Sequence, residues 1–363
     1  MNLGAELSAG IAEALHQHLS KIPFAKPSAP RIPVHGAGKG AMCDFELKLS
    51  LPDGKWILSA EVKHQAPPRL TRELIYQLRE QASATGHYPV LGAPYVSEAS
   101  ARLCKQAGIG YVDLAGNCYL CFSTIYIEKS GCPNPWPERR EMRSLFSPKA
   151  ENVLRLLWSH PGRAWKTQEL SDAAVVSLGQ IHKVKEKLLD QEWAVHTSKG
   201  LALAKPFELL EAWKVAYDQT KHQRQEYYSL LPLSQLESRL AEVAEARGIQ
   251  LALTAYAGAA RWSGGVRYNR VHAYISELDQ EFLNELGLKP VSSGGNLILF
   301  KPYDEGILTS RALHDGWPVV QPVQLYLDLI SQKGRGEEAA ERIMKEVLEP
   351  AWQSAGTTIP KRK

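Results

Sequence analysis

The 363-residue chain is 44% hydrophobic and 23% charged, with a formal net charge of +4. That balance excludes disordered and fibrous classes and supplies apolar material for two or three cores. No apolar run reaches the ~18 residues of a membrane span, and the first residues lack the basic-then-apolar order of a secretory signal. Five thinly spread cysteines fit a reducing compartment. The expectation is a cytoplasmic protein with no membrane partner, whose weak positive charge permits nucleic acid without demanding it.

In chain order, Gly36, Gly38 and Gly40 around Lys39 lack the Ser/Thr and the helix of a phosphate loop, and read as a flexible entry to Asp44. Residues 43–51 alternate as a strand, 52–54 turn, and 55–63 alternate again. On the second strand Trp56, Leu58, Ala60 and Val62 share one face, and Glu61 and Lys63 share the other. A helix over 70–84 presents Glu73, Gln77 and Glu80 along a polar side. A strand over 89–96, a helix over 97–107 and a strand over 110–114 complete a mixed sheet with helices on its faces. Cys118 and Cys121 form a lone Cys-x-x-Cys without a second pair, so they read as strand residues on opposite faces rather than as zinc ligands.

An aspartate at a strand start, followed by Glu-x-Lys on the next strand of a hairpin, resembles the restriction-endonuclease-like PD-(D/E)xK pattern. The residues are Asp44, Glu61 and Lys63, with Gln77 on the following helix. The resemblance implies that Asp44 and Glu61 would hold a magnesium ion beside a phosphate while Lys63 activates water. The alternative is an inactive nuclease-like platform that uses no cofactor, with Glu61 and Lys63 as ordinary solvated charges. The expectation is the non-enzymatic one.

Gly131 to Pro137, rich in proline and followed by charge, reads as a linker. Beyond it the order of elements is that of a winged helix-turn-helix. Ser147 and Pro148 open a first helix carrying Val153, Leu154, Leu157 and Trp158, which His160 to Gly162 stops. Thr167 caps a short second helix around Leu170, and Ser177 caps a third whose Ile181, Val184 and Leu188 form the buried stripe. Strands on either side of a turn at Lys199 and Gly200 make the wing. Such a unit offers a helix to the major groove and a basic loop to the backbone. Candidate DNA contacts are Ser177, Gln180, His182 and Lys183, with Lys187 and Lys199 on phosphates. A winged helix can also serve as a protein-binding module or as scaffold.

A helix over 209–225 leaves the wing. The remainder alternates again: helix 233–247, strand 249–254, helix 256–262, strand 271–275, helix 279–286, strand 296–301, and closing helices over 323–332 and 337–348. The basic and aromatic residues Arg261, Trp262, Arg267, Tyr268 and Arg270 could meet nucleic acid or a protein partner, and the reading preferred here is a polar turn between strand and helix. The whole is an α/β, multidomain α+β protein: a nuclease-like mixed-sheet domain over 1–132, a central winged helix over 139–221 and a C-terminal α/β domain over 222–353.

Residues 177–188 and 205–213, with 253–262 and 266–271 further on, resemble the AbiEi-type antitoxin regulators of type IV toxin–antitoxin systems. The resemblance implies a cytoplasmic transcriptional repressor that reads double-stranded DNA through its winged helix. It also implies a functional link to a nucleotidyltransferase-like toxin, opposed without a stable complex. A homodimer is a further expectation. The chain departs from that family in its long nuclease-like first domain and in the central position of the winged helix.

Overall fold

The computed structural model describes residues 3–31, 43–135, 145–332 and 334–356; Lys39 and its glycines lie outside them. The chain divides into two compact units, Met1–Arg139 with Asp190–Glu192, and Arg140–Leu189 with Trp193–Lys363.

The first unit is a seven-stranded sheet whose strands lie in chain order: β1 (Lys26–Pro27), β2 (Phe45–Leu51), β3 (Gly54–Val62), β4 (Tyr88–Ala93), β5 (Gly110–Asp113), β6 (Cys118–Phe122) and β7 (Ile125–Lys129). The β3–β4 and β4–β5 pairs are parallel, and the others are antiparallel. Period-two alternation divides β4 between two cores. Val90 joins a core with α1 (Leu3–Ser20), and Leu91 joins one with α2 (Pro68–Thr85) and α3 (Glu98–Ala107). Helix α1 carries Leu7, Ile11, Leu15 and Leu19 in a four-residue repeat, the last three fully buried. It packs so closely that a Cβ at Gly92 would lie 2.5 Å from Ile11 Cγ2. Cys118 is buried and Cys121 exposed, as alternation requires.

The second unit begins with α4 (Pro148–Ser159), α5 (Thr167–Ala174), α6 (Leu178–Asp190), the hairpin β8 (Ala194–Thr197) and β9 (Gly200–Leu203), and α7 (Pro206–Ala216). Lys166, not Thr167, occupies the cap position of α5, and Thr167 is its first helical residue. A second seven-stranded sheet follows. It is built from β10 (Gln223–Tyr228), β11 (Leu251–Thr254), β12 (Val271–Ile275), β13 (Lys289–Val291), β14 (Leu297–Lys301), β15 (Ala312–His314) and β16 (Trp317–Val319). Its spatial order is β13, β10, β14, β12, β11, β16, β15. Helices α8 (Leu233–Ala246) and α10 (Gln280–Glu285) cover one face. The other face meets α9 (Ala255–Trp262), α12 (Pro322–Ile330) and α13 (Gly336–Ile343). Residue 306 opens the short helix α11 (Gly306–Thr309), and α14 (Glu349–Ser354) closes the described chain.

The helix expected over 209–225 is corrected by the structure. α7 ends at Ala216, a 3-10 turn covers Gln219–Lys221, and 223–228 is strand β10. Tyr217 is extended at the helix end because its hydroxyl donates to the buried carboxylate of Asp328. β10 is then drawn between β13 and β14, where Glu226 and Tyr227 turn inward. Local helix propensity loses to ladder pairing.

One core joins the winged helix to this second sheet. Leu154, Leu157, Trp158 and Trp213 pack in the same cluster as Tyr274, Phe300, Leu325 and Trp352. Beside it runs a buried polar network. Arg155, 2% exposed, donates to Asp304, to Glu151 at 3.1 Å and to Gln324 at 3.2 Å, and Tyr303 donates to Glu151. Asp328, fully buried, accepts from Tyr217, Tyr274, Thr254 and Gln324. Burial raises the carboxyl groups of Glu151 and Asp328 above their ordinary range.

Burial lowers His222 and His272 from 6.5 to about 4; nearby Arg155 assists at His222. Both rings are therefore neutral when folded and take up protons on unfolding, so their contribution is complete above pH 6.5 and is lost as pH falls toward about 4. The raised carboxyls act in the opposite sense, so the test is a difference. Between those limits, unfolding free energy of the native chain should fall faster than that of a His222→Gln/His272→Gln variant, by at most about 3 kcal/mol per pH unit. Parallel urea-denaturation curves from pH 4 to 7 for the two proteins would refute this.

Candidate nucleic-acid interface

The helix-turn-helix is set by local bonds. α5 ends at Val175, whose φ of 54° reverses the chain, and Ser171 Oγ donates to Val176 O at 2.6 Å. Ser177 then starts α6, its Oγ accepting from Gln180 N at 3.3 Å and its carbonyl from Ile181 N at 3.1 Å. Ile181, Val184 and Leu188 are buried against Leu170 and Ala174, which turns the opposite side of α6 outward. His182, Lys183 and Glu186 are exposed there, as is Ser177 at the helix start, while Gln180 and Lys187 are half-buried. The sequence assignment of faces holds, although only part of the polar side is fully open.

The wing is tied to the helices by a third strand segment. Trp165 bridges Leu201, with Trp165 N donating to Leu201 O at 2.8 Å and Leu201 N returning a bond at 2.9 Å. At the tip Thr197 Oγ1 accepts from Lys199 N at 3.2 Å and donates to Gly200 O at 2.9 Å, leaving Lys199 exposed. Gly200 has φ of +132°, and a Cβ there would lie 2.2 Å from Trp165 O; only glycine lets the two backbones approach. Arg163 stacks 3.7 Å from the Trp165 ring centre and pairs with Glu169, so it is already engaged.

The carboxylates of the first unit gather where β2 and β3 meet. Asp44 Oδ2 accepts from Val62 N at 2.6 Å, and Lys63 Nζ lies 2.6 Å from Glu61 Oε1. Glu46 joins them: burial, then Glu46, Glu61 and Asp44, pushes the Cys43 thiol up to about 11. Glu46 is a neighbour the sequence reading passed over, although it lies only two residues after Asp44, near the start of β2. Gln77 is exposed on α2, outside the helix's buried stripe of Thr71, Leu74 and Leu78. Among the described residues no three His, Cys, Asp or Glu side chains are grouped to hold a metal ion. In the second unit Arg261 pairs with Glu237 at 2.7 Å and lies over Trp317, and Tyr268 donates to Glu237 at 2.8 Å. Those members of the basic-aromatic cluster are structural.

Residues 202–349 match the family model described as a transcriptional regulator, the AbiEi antitoxin of type IV toxin–antitoxin systems. The resemblance read from the sequence is borne out over those residues, from β9 through the second sheet and its helices. No curated protein matches the chain. A chain from a solved structure titled "Structure of EndoMS-dsDNA2 complex" is 20% identical, over 29% of this chain and 45% of that chain, with a TM-score of 0.18. An overlap that low carries no argument. In the described residues no helix is long and apolar enough to cross a membrane.

Gly200→Ala should separate the wing from Trp165 and destabilise the second unit by about 2–4 kcal/mol, since both the φ and the contact forbid a side chain. Denaturation of the variant with an unchanged midpoint would show that the Trp165–Leu201 bridge is dispensable.

Proposed function

We propose that this protein is a DNA-binding transcriptional regulator, an antitoxin-like repressor of a type IV toxin–antitoxin system. The observation that carries the reading is the outward face of α6 beside the wing, on a unit whose remainder matches AbiEi-type regulators. In this reading α6 enters the major groove. Ser177, Gln180, His182 and Lys183 meet base edges and nearby phosphates, with Lys187 at the backbone and Lys199 on the phosphates beside the wing. Two copies on a palindromic operator and a linked nucleotidyltransferase-like toxin belong to the same proposal. Of the three candidate lysines, Lys183 and Lys199 are the exposed ones, so their loss removes about two phosphate contacts. Binding of the Lys183→Ala/Lys199→Ala variant to the promoter fragment of its own gene should weaken at least ten-fold at 100 mM salt. The slope of log K against log salt should shrink by about 1.8. Equal slopes for the two proteins would sink the assignment.

The PD-(D/E)xK alternative rests on the juxtaposition of Asp44, Glu61 and Lys63. Asp44 accepts from the β3 backbone and Lys63 pairs with Glu61, so a divalent cation that used both carboxylates would have to compete with Lys63 for Glu61. The nuclease-like sheet then serves as a platform. Supercoiled plasmid incubated with the protein and magnesium should remain intact; nicking that Glu61→Ala abolishes would replace this reading with the nuclease.

A further inference from the structure

Three arginines of the second unit line one small surface pocket of about 60 Å³. Arg267 comes from the loop after α9, Arg335 from the cap position of α13, and Arg342 from the last turn of that helix. Tyr256, in the first turn of α9, forms another wall. None of these elements belongs to the winged helix.

Elsewhere in the unit arginines are held by carboxylates, Arg163 by Glu169, Arg224 by Glu226 and Arg261 by Glu237. Arg267 and Arg335 are exposed, and among the described residues neither has an ion-pair or hydrogen-bond partner. Arg342 gives Nη1 to the carbonyl of Gly264 at 2.9 Å, and its Nε stands 4.0 Å from Glu346, so its Nη2 has no acceptor. Gly265 has φ of +86°, and a Cβ there would lie 3.0 Å from Arg342 Nη1, so glycine lets the loop close over that guanidinium. The Tyr256 hydroxyl is also without a partner among the described residues. Burial pushes that hydroxyl up, and the charge of Arg335 opposes the push, which puts the guanidinium within electrostatic reach of it.

One carboxylate, Glu338, lines the pocket too, and it pairs with none of the three guanidinium groups. Three positive groups against one negative leave a surplus of two charges. A phosphate with one ester bond carries about −1.5 to −2 at pH 7, so it meets that surplus. Guanidinium forks bind its oxygens through paired N–H bonds.

We propose that this pocket is a binding site for a dianionic phosphate group, inorganic phosphate or the terminal phosphate of a small-molecule monoester, held by Arg267, Arg335 and Arg342 with the Tyr256 hydroxyl as a further donor. The pocket takes one phosphate head and leaves any organic body in solvent. The bound group ties the loop after α9 to α13. The site stands independently of DNA binding by the winged helix.

The test is calorimetric titration of the full chain in phosphate-free buffer at pH 7.5 and 150 mM salt, where long-range attraction is screened. The probes are inorganic phosphate, methyl phosphate and dimethyl phosphate, the last a monoanion like a nucleic-acid backbone. The first two should bind saturably at one site, and dimethyl phosphate at least ten-fold more weakly. Tighter binding of methyl phosphate would assign the site to an ester, and tighter binding of inorganic phosphate to the free ion; both support it. Arg267→Gln/Arg335→Gln should keep the native thermal midpoint without phosphate and lose phosphate affinity at least ten-fold. Arg239→Gln, an exposed arginine on α8 across the sheet, should bind phosphate as the native chain does. Four results would each overturn the proposal: no saturable binding of either dianion, dimethyl phosphate as tight as methyl phosphate, full affinity in the double variant, or an equal loss in Arg239→Gln. None of them bears on operator binding, which is measured separately.

Discussion

The second unit is organised around a single buried guanidinium. Arg155 sits in the first helix of the winged helix, yet Asp304 and Gln324 among its partners come from beyond β14, roughly half the chain away. Burial opposes its charge, but Asp304 and Glu151 more than offset that and hold it protonated. A buried ion group of this kind adds little net stability over an apolar replacement, because desolvation offsets most of the attraction. Its effect is on geometry. If α4 slid against the sheet, Arg155 would lose Asp304 and a charge would be stranded without water, at a cost of several kcal/mol. The adjoining cluster around Asp328 works alike, gathering Tyr217 from the end of α7, Thr254 and Tyr274 from the sheet and Gln324 from α12. Winged helix and sheet are thus locked as one body, with the apolar core of Trp158, Trp213 and Phe300 supplying the attraction.

That arrangement decides how the candidate interface is offered. The apolar stripe of α6 is consumed by α5 and α4, so the opposite side has no choice but to face outward. The wing is held by backbone bonds to Trp165 and by the absence of a side chain at Gly200, which fixes the backbone that carries Lys199. Order of this kind lowers the entropy lost when a surface meets a rigid duplex. In the first unit Lys63 pairs with Glu61, and Asp44 accepts from the backbone of the adjacent strand.

Local signals in the sequence carried different elements unequally. The α5–α6 unit was legible because the Ser177 cap and the three-to-four-residue apolar spacing agree, even though the cap expected at Thr167 falls on Lys166. Helix α1 was equally legible in principle, since Leu7, Ile11, Leu15 and Leu19 repeat every four residues, but reading that stretch only for a signal sequence missed it. The error over 209–225 is of another sort. Leu209, Leu210 and Trp213 do form a helical stripe, and nothing local announces that Gln223 to Tyr228 will be taken up by two strands distant in sequence. The hairpin of β15 and β16 escaped for the same reason, each strand being three residues long and defined by its neighbours.

Sequence alone determined most of the alternation of strands and helices and the face of α6 that turns away from the core, because each depends on residues within a few positions of one another; the need for glycine at the wing came from the approach of the Trp165 backbone. Tertiary structure decided that the winged helix and the second sheet share one core and that Arg155 and Asp328 are buried network centres. Those outcomes rest on contacts between residues more than a hundred positions apart. Such pairings are selected by the balance of desolvation, packing and chain entropy over the whole unit, and a local window of sequence contains none of those terms.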